Sequence, residues 1–383
     1  MPPKGWRRLF KRNLSTRLAF AGFGDMFFNI DADEGHAVRG WMVLDNPAAI
    51  PSITVIAPGH PEIKLVANVL RPDIQELGIH ATGEVGFEVN ETILPGIGSI
   101  AELEIIETES RLPIFRRFKD RHIEKRLYLF DAGVLPQRPL LQLLGNNFTM
   151  NYLHTERYSL ETMLVIINNK FTQSSFMYGR SNFNRYTSFL ANAGFLRAGL
   201  LREPFEEFAE RLMFLKILGR SSASDLAALN ATGLESLIGF ASGLPIDDPK
   251  GVLAAFRALD REQRQILSNP MTRLFGCNFD EYPERKHVAV ALENLATMDV
   301  VGTKARFEDF RTLLAGTLGR DVLGEQRPHH FGPAVEFGAT LSKIGIVADM
   351  LEHDIELYSF ADQAIQAALE GSGGALARDT HSI

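Results

Sequence analysis

The sequence predicts two domains of different class, a small all-β module followed by a larger, helix-rich α/β domain. Short apolar runs separated by turn residues fill positions 20–110, as in an antiparallel β-sandwich. A strand–loop–helix order then appears over 127–144, as in a parallel α/β unit. From position 206 onward, apolar residues recur with helical spacing. The 383 residues, 45% of them hydrophobic, are enough for sizeable cores, and the length suggests two domains or one large domain with an appendage.

The first segment, residues 1–19, is basic and carries no acidic residue within its first 18 positions. Leucine, phenylalanine and tryptophan side chains alternate with the lysines and arginines, which predicts an amphipathic helix that contacts an anionic membrane through residues 1–18. A disordered terminus is the alternative. No stretch reaches the about 18 continuous apolar residues that a membrane span needs, and no signal-peptide apolar core is present. We therefore expect a cytoplasmic protein, with peripheral membrane contact through this segment.

Residues 20–110 are expected to form the β-sandwich-like module. Turn sequences such as Asp45-Asn46-Pro47 and Pro95-Gly96 separate its strands. The predicted strands are Met26–Ile30, Ala37–Leu44, Ser52–Ala57, Lys64–Val69, Val85–Val89 and Ile100–Ile106.

The segment 111–126 is rich in arginine and lysine and is predicted to be a linker helix with a solvated basic face. The α/β domain follows over 127–370. The tail, 371–383, is small and polar, and disorder is expected there.

The loop between the first α/β strand and its helix is the first candidate site. It runs from Asp131 to Pro139 and ends at a helix N-terminus, where free N–H groups favour anions. Gly133, Gln137 and Arg138 are its candidate ligands, and the planar fork of Arg138 suits a phosphate. The loop has one glycine and no Lys-Ser/Thr pair, so an ordinary surface loop is the alternative.

Two further arginines and one acid–base pair complete the candidates. Arg202 ends an apolar strand and precedes a Pro-led helix whose start is unusually acidic. Arg273, in the run Asn269-Pro270-Met271-Thr272-Arg273, is a third candidate cation. His154 and Glu156 are the candidates for proton transfer, because a histidine beside a carboxylate can titrate near neutrality.

Metal and disulfide chemistry are not expected. The pair His329-His330 lacks the i, i+4 spacing of a helical metal site, and Cys277 is the single cysteine. The net charge of −7 argues against a nucleic-acid partner.

Four segments of the α/β domain, in order, resemble the carbohydrate sulfotransferases. Leu201–Glu206 (LREPFE) is similar to the family motif LRDPxxR, and Asn269–Leu274 (NPMTRL) is similar to NxxTRxL. Val300–Phe307 (VVGTKARF) is similar to FVGLTERF, and Asp354–Ala361 (DIELYSFA) is similar to the closing DxxLYxFA helix. The resemblance implies a P-loop-like sulfotransferase fold and the sulfate donor 3′-phosphoadenosine 5′-phosphosulfate (PAPS).

Within the β-module, Gly40-Trp41, Arg71-Pro72-Asp73, Gly78 and Gly86-Phe87 resemble a module found beside bacterial enzymes of surface-polysaccharide synthesis. Together the two resemblances imply a carbohydrate or glycolipid acceptor.

The resemblance also implies roles for the candidate residues. Arg202 and Arg273 would hold the 3′-phosphate of PAPS, the loop Gly133–Arg138 would hold the 5′ end, and His154 or Glu156 would act as base. The chain departs from the family where the first loop lacks its catalytic lysine, and Arg138 is the candidate to take over that catalytic role. Three hypotheses therefore stay open: a sulfotransferase of surface-glycan biosynthesis, a catalytically inactive glycan-binding or scaffold protein with the same fold, and a transferase with a changed donor.

Overall fold

Two antiparallel sheets and one parallel sheet organise the chain. The computed structural model describes residues 26–118, 122–135, 137–218 and 237–379. The basic segment 1–18, for which membrane contact was predicted, lies outside the described residues. No described helix is long and apolar enough to cross a bilayer.

The two antiparallel sheets form the β-module. One has the order β1-β2-β6-β5 and the other β4-β3-β7-β8, and apolar side chains from both share one core. The prediction of antiparallel strands is confirmed, and one short helix, Pro72–Glu76, lies among them. The strands are β1 Phe27–Asp33, β2 Ala37–Val43, β3 Ser52–Ile56, β4 Ile63–Val66, β5 Val69–Leu70, β6 Glu84–Asn90, β7 Leu103–Glu107 and β8 Pro113–Arg117.

The prediction of a basic linker helix over 111–126 is wrong. Its residues Pro113–Arg117 form β8, which pairs with β7, and Arg126 begins β9 of the next sheet. In β8, Ile114 and Phe115 are buried, while Arg116 forms an ion pair with Glu104 of β7. Pairing with β7 and burial of the apolar residues thus outweigh the basic composition, and the module extends to Arg117.

The third sheet is parallel and has five strands: β9 Arg126–Asp131, β10 Met150–Leu153, β11 Ser175–Gly179, β12 Phe195–Leu201 and β13 Val300–Thr303. Their order across the sheet is β10-β11-β9-β12-β13, with β9 in the centre. All six residues of β9 are buried, as expected of a strand with helices on both faces. The mixed α/β class of this domain is confirmed.

Helices cover both faces of the parallel sheet. Leu127 and Leu129 of β9 face one core, and Tyr128 and Phe130 face the other, as the two-residue period of a strand requires. The helices are α1 Pro72–Glu76, α2 Arg138–Gly145, α3 Leu160–Asn168, α4 Phe183–Asn192, α5 Pro204–Leu218, α6 Ile238–Gly243, α7 Pro249–Arg257, α8 Arg261–Leu267, α9 Pro270–Gly276, α10 Arg285–Ala296, α11 Phe307–Leu318, α12 Gly332–Leu341, α13 Gly345–Met350 and α14 Glu352–Asp379.

Helix α14 also corrects the expectation of a disordered tail from residue 371. The helix continues to Asp379, so a small, polar composition did not end it. Residues 380–383 lie outside the described part of the chain.

The β-module and the α/β domain share a hydrophobic core. The backbone N–H of Met26 donates to the hydroxyl of Thr162 on α3, with an N–O distance of 2.9 Å. The rings of Phe115 and Phe171 lie 5.2 Å apart between centroids. These contacts fix the module beside the parallel sheet.

Candidate functional site

The carboxyl ends of the parallel strands gather most of the predicted site residues. Ligands of open α/β sheets bind outside these ends, where the strand order reverses. In this sheet the order reverses around β9, since the second and third strands lie on one side of it and the fourth and fifth on the other.

At the end of β9, Asp131 is locked to Arg202 at the end of β12. The carboxylate accepts Nε of Arg202 at 2.9 Å and Nη2 at 2.7 Å, and it also accepts the hydroxyl of Tyr178 at 3.0 Å. The exposed fractions of Asp131 and Arg202 are 1% and 2%. Burial and the negative charge of Asp131 raise the pKa of Tyr178 well above its usual value, so Tyr178 is the donor to this carboxylate. The fork of Arg202, predicted to bind a phosphate, thus holds a carboxylate of its own chain.

The predicted phosphate loop is tied to the same pair. The backbone N–H of Gly133 donates to Oδ1 of Asp131 at 2.9 Å. A side chain at Gly133 would have its Cβ 2.8 Å from Nε of Arg202, so the loop passes directly over the guanidinium. The buried amide of Gln137 accepts the backbone N–H of His329 at 2.6 Å. Two of the three groups predicted to hold a donor's 5′ end therefore make internal hydrogen bonds.

Arg138 and Arg273 lie apart from that pair. Arg138 is the exposed first residue of α2, and no described residue bonds to its side chain. Arg273 lies on α9, half-buried, with its guanidinium carbon 5.2 Å from the ring centre of Tyr282. The structure thus gives Arg202 and Arg273 different partners, whereas the resemblance implies a shared phosphate.

The start of α9 is capped by a buried acid. Asp354 of α14 accepts the backbone N–H groups of Met271 at 2.9 Å and Thr272 at 2.6 Å. Burial raises the pKa of Asp354 to about 6, although these N–H groups pull it down. A carboxylate of the chain occupies this helix N-terminus.

The acidic start of α5 holds a lysine from the end of β13. Nζ of Lys304 lies 2.5 Å from Oε1 of Glu206 and 2.9 Å from Oε1 of Glu210. Burial raises the pKa of Glu210, and Lys304 opposes that shift. The glutamates that the sequence placed where a phosphate would be repelled are therefore partly neutralised by a lysine.

The acid–base candidates are brought together at the ends of β10 and β11. Nδ1 of His154 lies 3.8 Å from Oε1 of Glu156, and Glu156 also accepts the backbone N–H of Arg180 at 3.0 Å. Burial alone would raise the pKa of Glu156, but Arg180, His154 and backbone N–H groups lower it to about 2. His154 adopts a left-handed backbone with φ +59°, which costs free energy in a non-glycine residue. Glu156 is thus held as an ion, and His154 stays partly exposed beside it.

The residues present do not fit PAPS. Arg202, Gly133 and Gln137 are engaged by the chain itself. The two best-formed cavities of the described residues are each about 10 Å³, room for about one water molecule. One of them lies beside Asp131 and Gln137 and is otherwise lined by apolar side chains.

Three residues of this edge, Arg180, Tyr178 and Lys304, were missed from the sequence. Arg180 directly follows β11, as Arg202 follows β12, so the same strand-end pattern was present in the run Ser175–Gly179. Tyr178 gave no signal, because a tyrosine within an apolar strand resembles core.

Comparison of the sequence with models of known protein families finds no match, and comparison with curated proteins finds none either.

Proposed function

We propose that this chain is a sulfotransferase-like protein of bacterial surface-glycan assembly that binds glycan and has replaced the sulfate donor by carboxylates of its own. Of the three hypotheses from the sequence, this is the catalytically inactive glycan-binding or scaffold protein. The carbohydrate or glycolipid is then a binding partner.

The Asp131–Arg202 pair is the observation that carries this proposal. An arginine fork matches a carboxylate and a phosphate with the same bidentate geometry. A 3′-phosphate on Arg202 would first have to displace Asp131. Separating a buried ion pair costs about 3–5 kcal/mol, which is comparable to the binding free energy of a millimolar ligand.

The spatial arrangement of the four similar segments supports the fold part of the proposal. The backbone N–H of Lys304 donates to the carbonyl of Leu201 at 2.9 Å, which joins the first and third of the four segments. Asp354 of the closing segment caps α9, which carries the NPMTRL segment. Four segments separated in sequence therefore meet around one edge of a parallel sheet.

The test is a thermal-shift titration with adenosine 3′,5′-bisphosphate together with a glycan array. We expect no shift from the nucleotide up to millimolar concentration and specific signals on the array. A ligand at 100 times its Kd would stabilise the fold by about 2.7 kcal/mol, a readily measured shift. A saturable rise in Tm with the nucleotide, or an array without signals, would overturn the proposal.

A transferase with a changed donor is the second candidate, favoured by the cluster of His154, Glu156 and Arg180 at the sheet edge. Its test is incorporation of label from nucleotide sugars into a glycan mixture. Incorporation by the wild type that is lost in His154→Ala would favour this candidate over the first.

A further inference from the structure

Arg126, the first residue of β9, carries a buried guanidinium at the amino end of the parallel sheet. The residue is 5% exposed. Its Nη1 donates to the carbonyls of Ile167 at 3.4 Å and Ala193 at 3.3 Å, and its Nη2 donates to those of Asn169 at 2.5 Å and Thr172 at 3.0 Å. Three of these carbonyls end α3 or α4, where the helix dipole places partial negative charge. The guanidinium is therefore held by neutral oxygen atoms.

One of the five N–H donors of this guanidinium is left over. Four of them meet carbonyls, and Nε has no hydrogen-bond partner among the described residues. The hydroxyl of Tyr152, on β10, is also buried and has no partner of hydrogen-bond geometry in the described part of the chain. Burial raises the pKa of Tyr152, with the side chain of Asn169 opposing the shift, so the hydroxyl keeps its proton and can donate it. Both donors line one cavity.

That cavity is one of the two described above, and it lies at the opposite edge of the sheet from the candidate functional site. Its volume of about 10 Å³ holds one particle of the size of a water molecule or a halide ion, whereas sulfate and phosphate are too large. Half-buried residues of the connection between α3 and β11 form part of its wall, so that solvent ions can reach it. The strands contribute Arg126, Tyr152, Ser175 and Phe195, and the connection contributes Asn169 and Thr172.

The wall of this cavity offers donors more than acceptors. Oδ1 of Asn169 already accepts the backbone N–H of Phe171 at 2.9 Å, and the hydroxyl of Thr172 accepts that of Ser174 at 3.0 Å. The carbonyls of Asn169 and Thr172 are engaged by the guanidinium. A water molecule could accept from the two free donors, but it would find few acceptors for its own two protons. A halide ion accepts from several donors and has no proton to place.

The charge of Arg126 leads to the same ligand. Among the described residues Arg126 forms no ion pair, in contrast to Arg202 and Arg211. Burial lowers the pKa of Arg126, and no carboxylate is among the groups that oppose this shift. Because buried charges in proteins are normally paired, and the carbonyl dipoles offset this one only in part, a monovalent anion supplies the missing counter-charge.

We propose that the cavity between Nε of Arg126 and the hydroxyl of Tyr152, which we term the Arg126 cavity, binds one halide ion. The ion accepts from both groups and joins the starts of β9 and β10 to the ends of α3 and α4. It stabilises the fold at the sheet edge away from the candidate functional site, and the inference does not depend on the proposed function.

The direct experiment is diffraction from crystals of the full chain soaked in sodium bromide, with data collected at the bromine absorption edge. We expect an anomalous peak in the Arg126 cavity, in contact with Nε of Arg126 and the hydroxyl of Tyr152. The anomalous signal distinguishes bromide from water, which has none at this wavelength.

The matching solution experiment is thermal unfolding during titration of chloride or bromide into sodium gluconate at constant ionic strength. Constant ionic strength keeps the screening of surface charges unchanged, and gluconate is too large for the cavity. We expect a saturable rise in Tm with both halides, because a ligand that binds only the folded state stabilises it by mass action.

Two tyrosine variants assign the effect to this cavity. Tyr152→Phe removes one donor and keeps the ring, and it should weaken halide affinity about tenfold or more, as for loss of a hydrogen bond to a charged group. Tyr186→Phe is the matched control, since Tyr186 is also buried but lies on α4 and does not line the cavity. Its halide affinity should equal that of wild type. Arg126→Met should abolish halide binding, and if it does not fold, the two tyrosine variants decide.

The outcomes that overturn the inference are distinct. A bromide-soaked crystal without an anomalous peak in the cavity would overturn it. A peak without a halide-dependent Tm in solution would mean binding at crystal concentration only, and would overturn it as well. A halide-dependent Tm that Tyr152→Phe leaves unchanged would place the ion elsewhere and refute the Arg126 cavity as its site.

Discussion

Replacing Asp131 by asparagine is the most direct test of what holds the sheet edge together. The substitution keeps the size and shape of the side chain and removes its charge. In the wild type the carboxylate accepts two bonds from Arg202, one from Gly133 and one from Tyr178. An asparagine has a single acceptor oxygen. Its amide N–H groups would lie against the donors of Arg202, Gly133 or Tyr178 without forming hydrogen bonds to them.

The magnitude follows from the burial of the pair. Both side chains are almost fully inaccessible to water, and Nη1 of Arg202 already has no hydrogen-bond partner among the described residues. Asp131→Asn leaves the guanidinium as an uncompensated buried charge, for which the expected loss is about 3–5 kcal/mol. Replacing both residues at once, Asp131→Leu with Arg202→Met, should recover much of that loss, because no buried charge then remains.

Urea unfolding at neutral pH measures the effect as a shift in midpoint at unchanged slope. Glu62→Gln is the matched control, since Glu62 forms a bidentate but exposed pair with Arg111, and its midpoint should stay at the wild-type value. A loss under about 1 kcal/mol in Asp131→Asn would refute the view that this pair fixes the edge. It would also remove the main support for the proposal that Asp131 occupies Arg202 in place of the phosphate of a sulfate donor.

Three further predictions concern the same edge. Gly133→Ala should destabilise by about 1–3 kcal/mol in urea unfolding, because its Cβ meets a guanidinium that Asp131 holds in place, while Gly316→Ala on α11, with open space around it, should not destabilise. Glu156 has a folded pKa below its unfolded value, so its contribution is present above the unfolded pKa near 4.5 and is lost as pH falls towards 2. The difference in the free energy of unfolding between wild type and Glu156→Gln should therefore decrease by about 1 kcal/mol between pH ~7 and ~3.5. A difference that stays constant would contradict a lowered pKa for Glu156. Asp354 has a raised folded pKa, so the native state takes up a proton as pH falls through about 6. The free energy of unfolding of wild type should then increase by about 1 kcal/mol relative to that of Asp354→Asn between pH ~7 and ~5. A decrease over this range would refute a raised pKa for the buried Asp354.

The positions of strands were largely predictable, because strand signals are local. The run Leu127–Phe130 and the run Leu196–Leu201 became β9 and β12 as expected. Pro113–Arg117 was misassigned, because its arginines suggested a solvated helix. The pairing of this segment with β7, which overrides composition, depends on a partner in space. The apolar run Met163–Ile167, whose composition suits either a strand or a helix, is helical within α3.

The sequence predicted which residues lie at the site, but it did not predict which of them form ion pairs with each other. His154 and Glu156 lie two positions apart, so their contact follows from local geometry. Arg202 pairs with Asp131, which lies 71 positions earlier in the sequence. The parallel register of β9 and β12 brings the two residues together. A sequence shows that a cation ends a strand, but it does not show which anion meets it.

The sequence by itself therefore determined the order of an antiparallel β-region followed by a parallel α/β region, and the strand ends where polar residues collect, since hydrophobic period and turn residues act over a few positions. The tertiary structure decided which of those residues are engaged and which are available. Arg202 is buried against the carboxylate of Asp131, and Lys304 pairs with the acids of α5. Arg185 and Arg273 lie over exposed aromatic rings. The reason is that the free energy of a charge depends on its neighbours and its distance from water, and both are set by contacts between segments far apart in the chain.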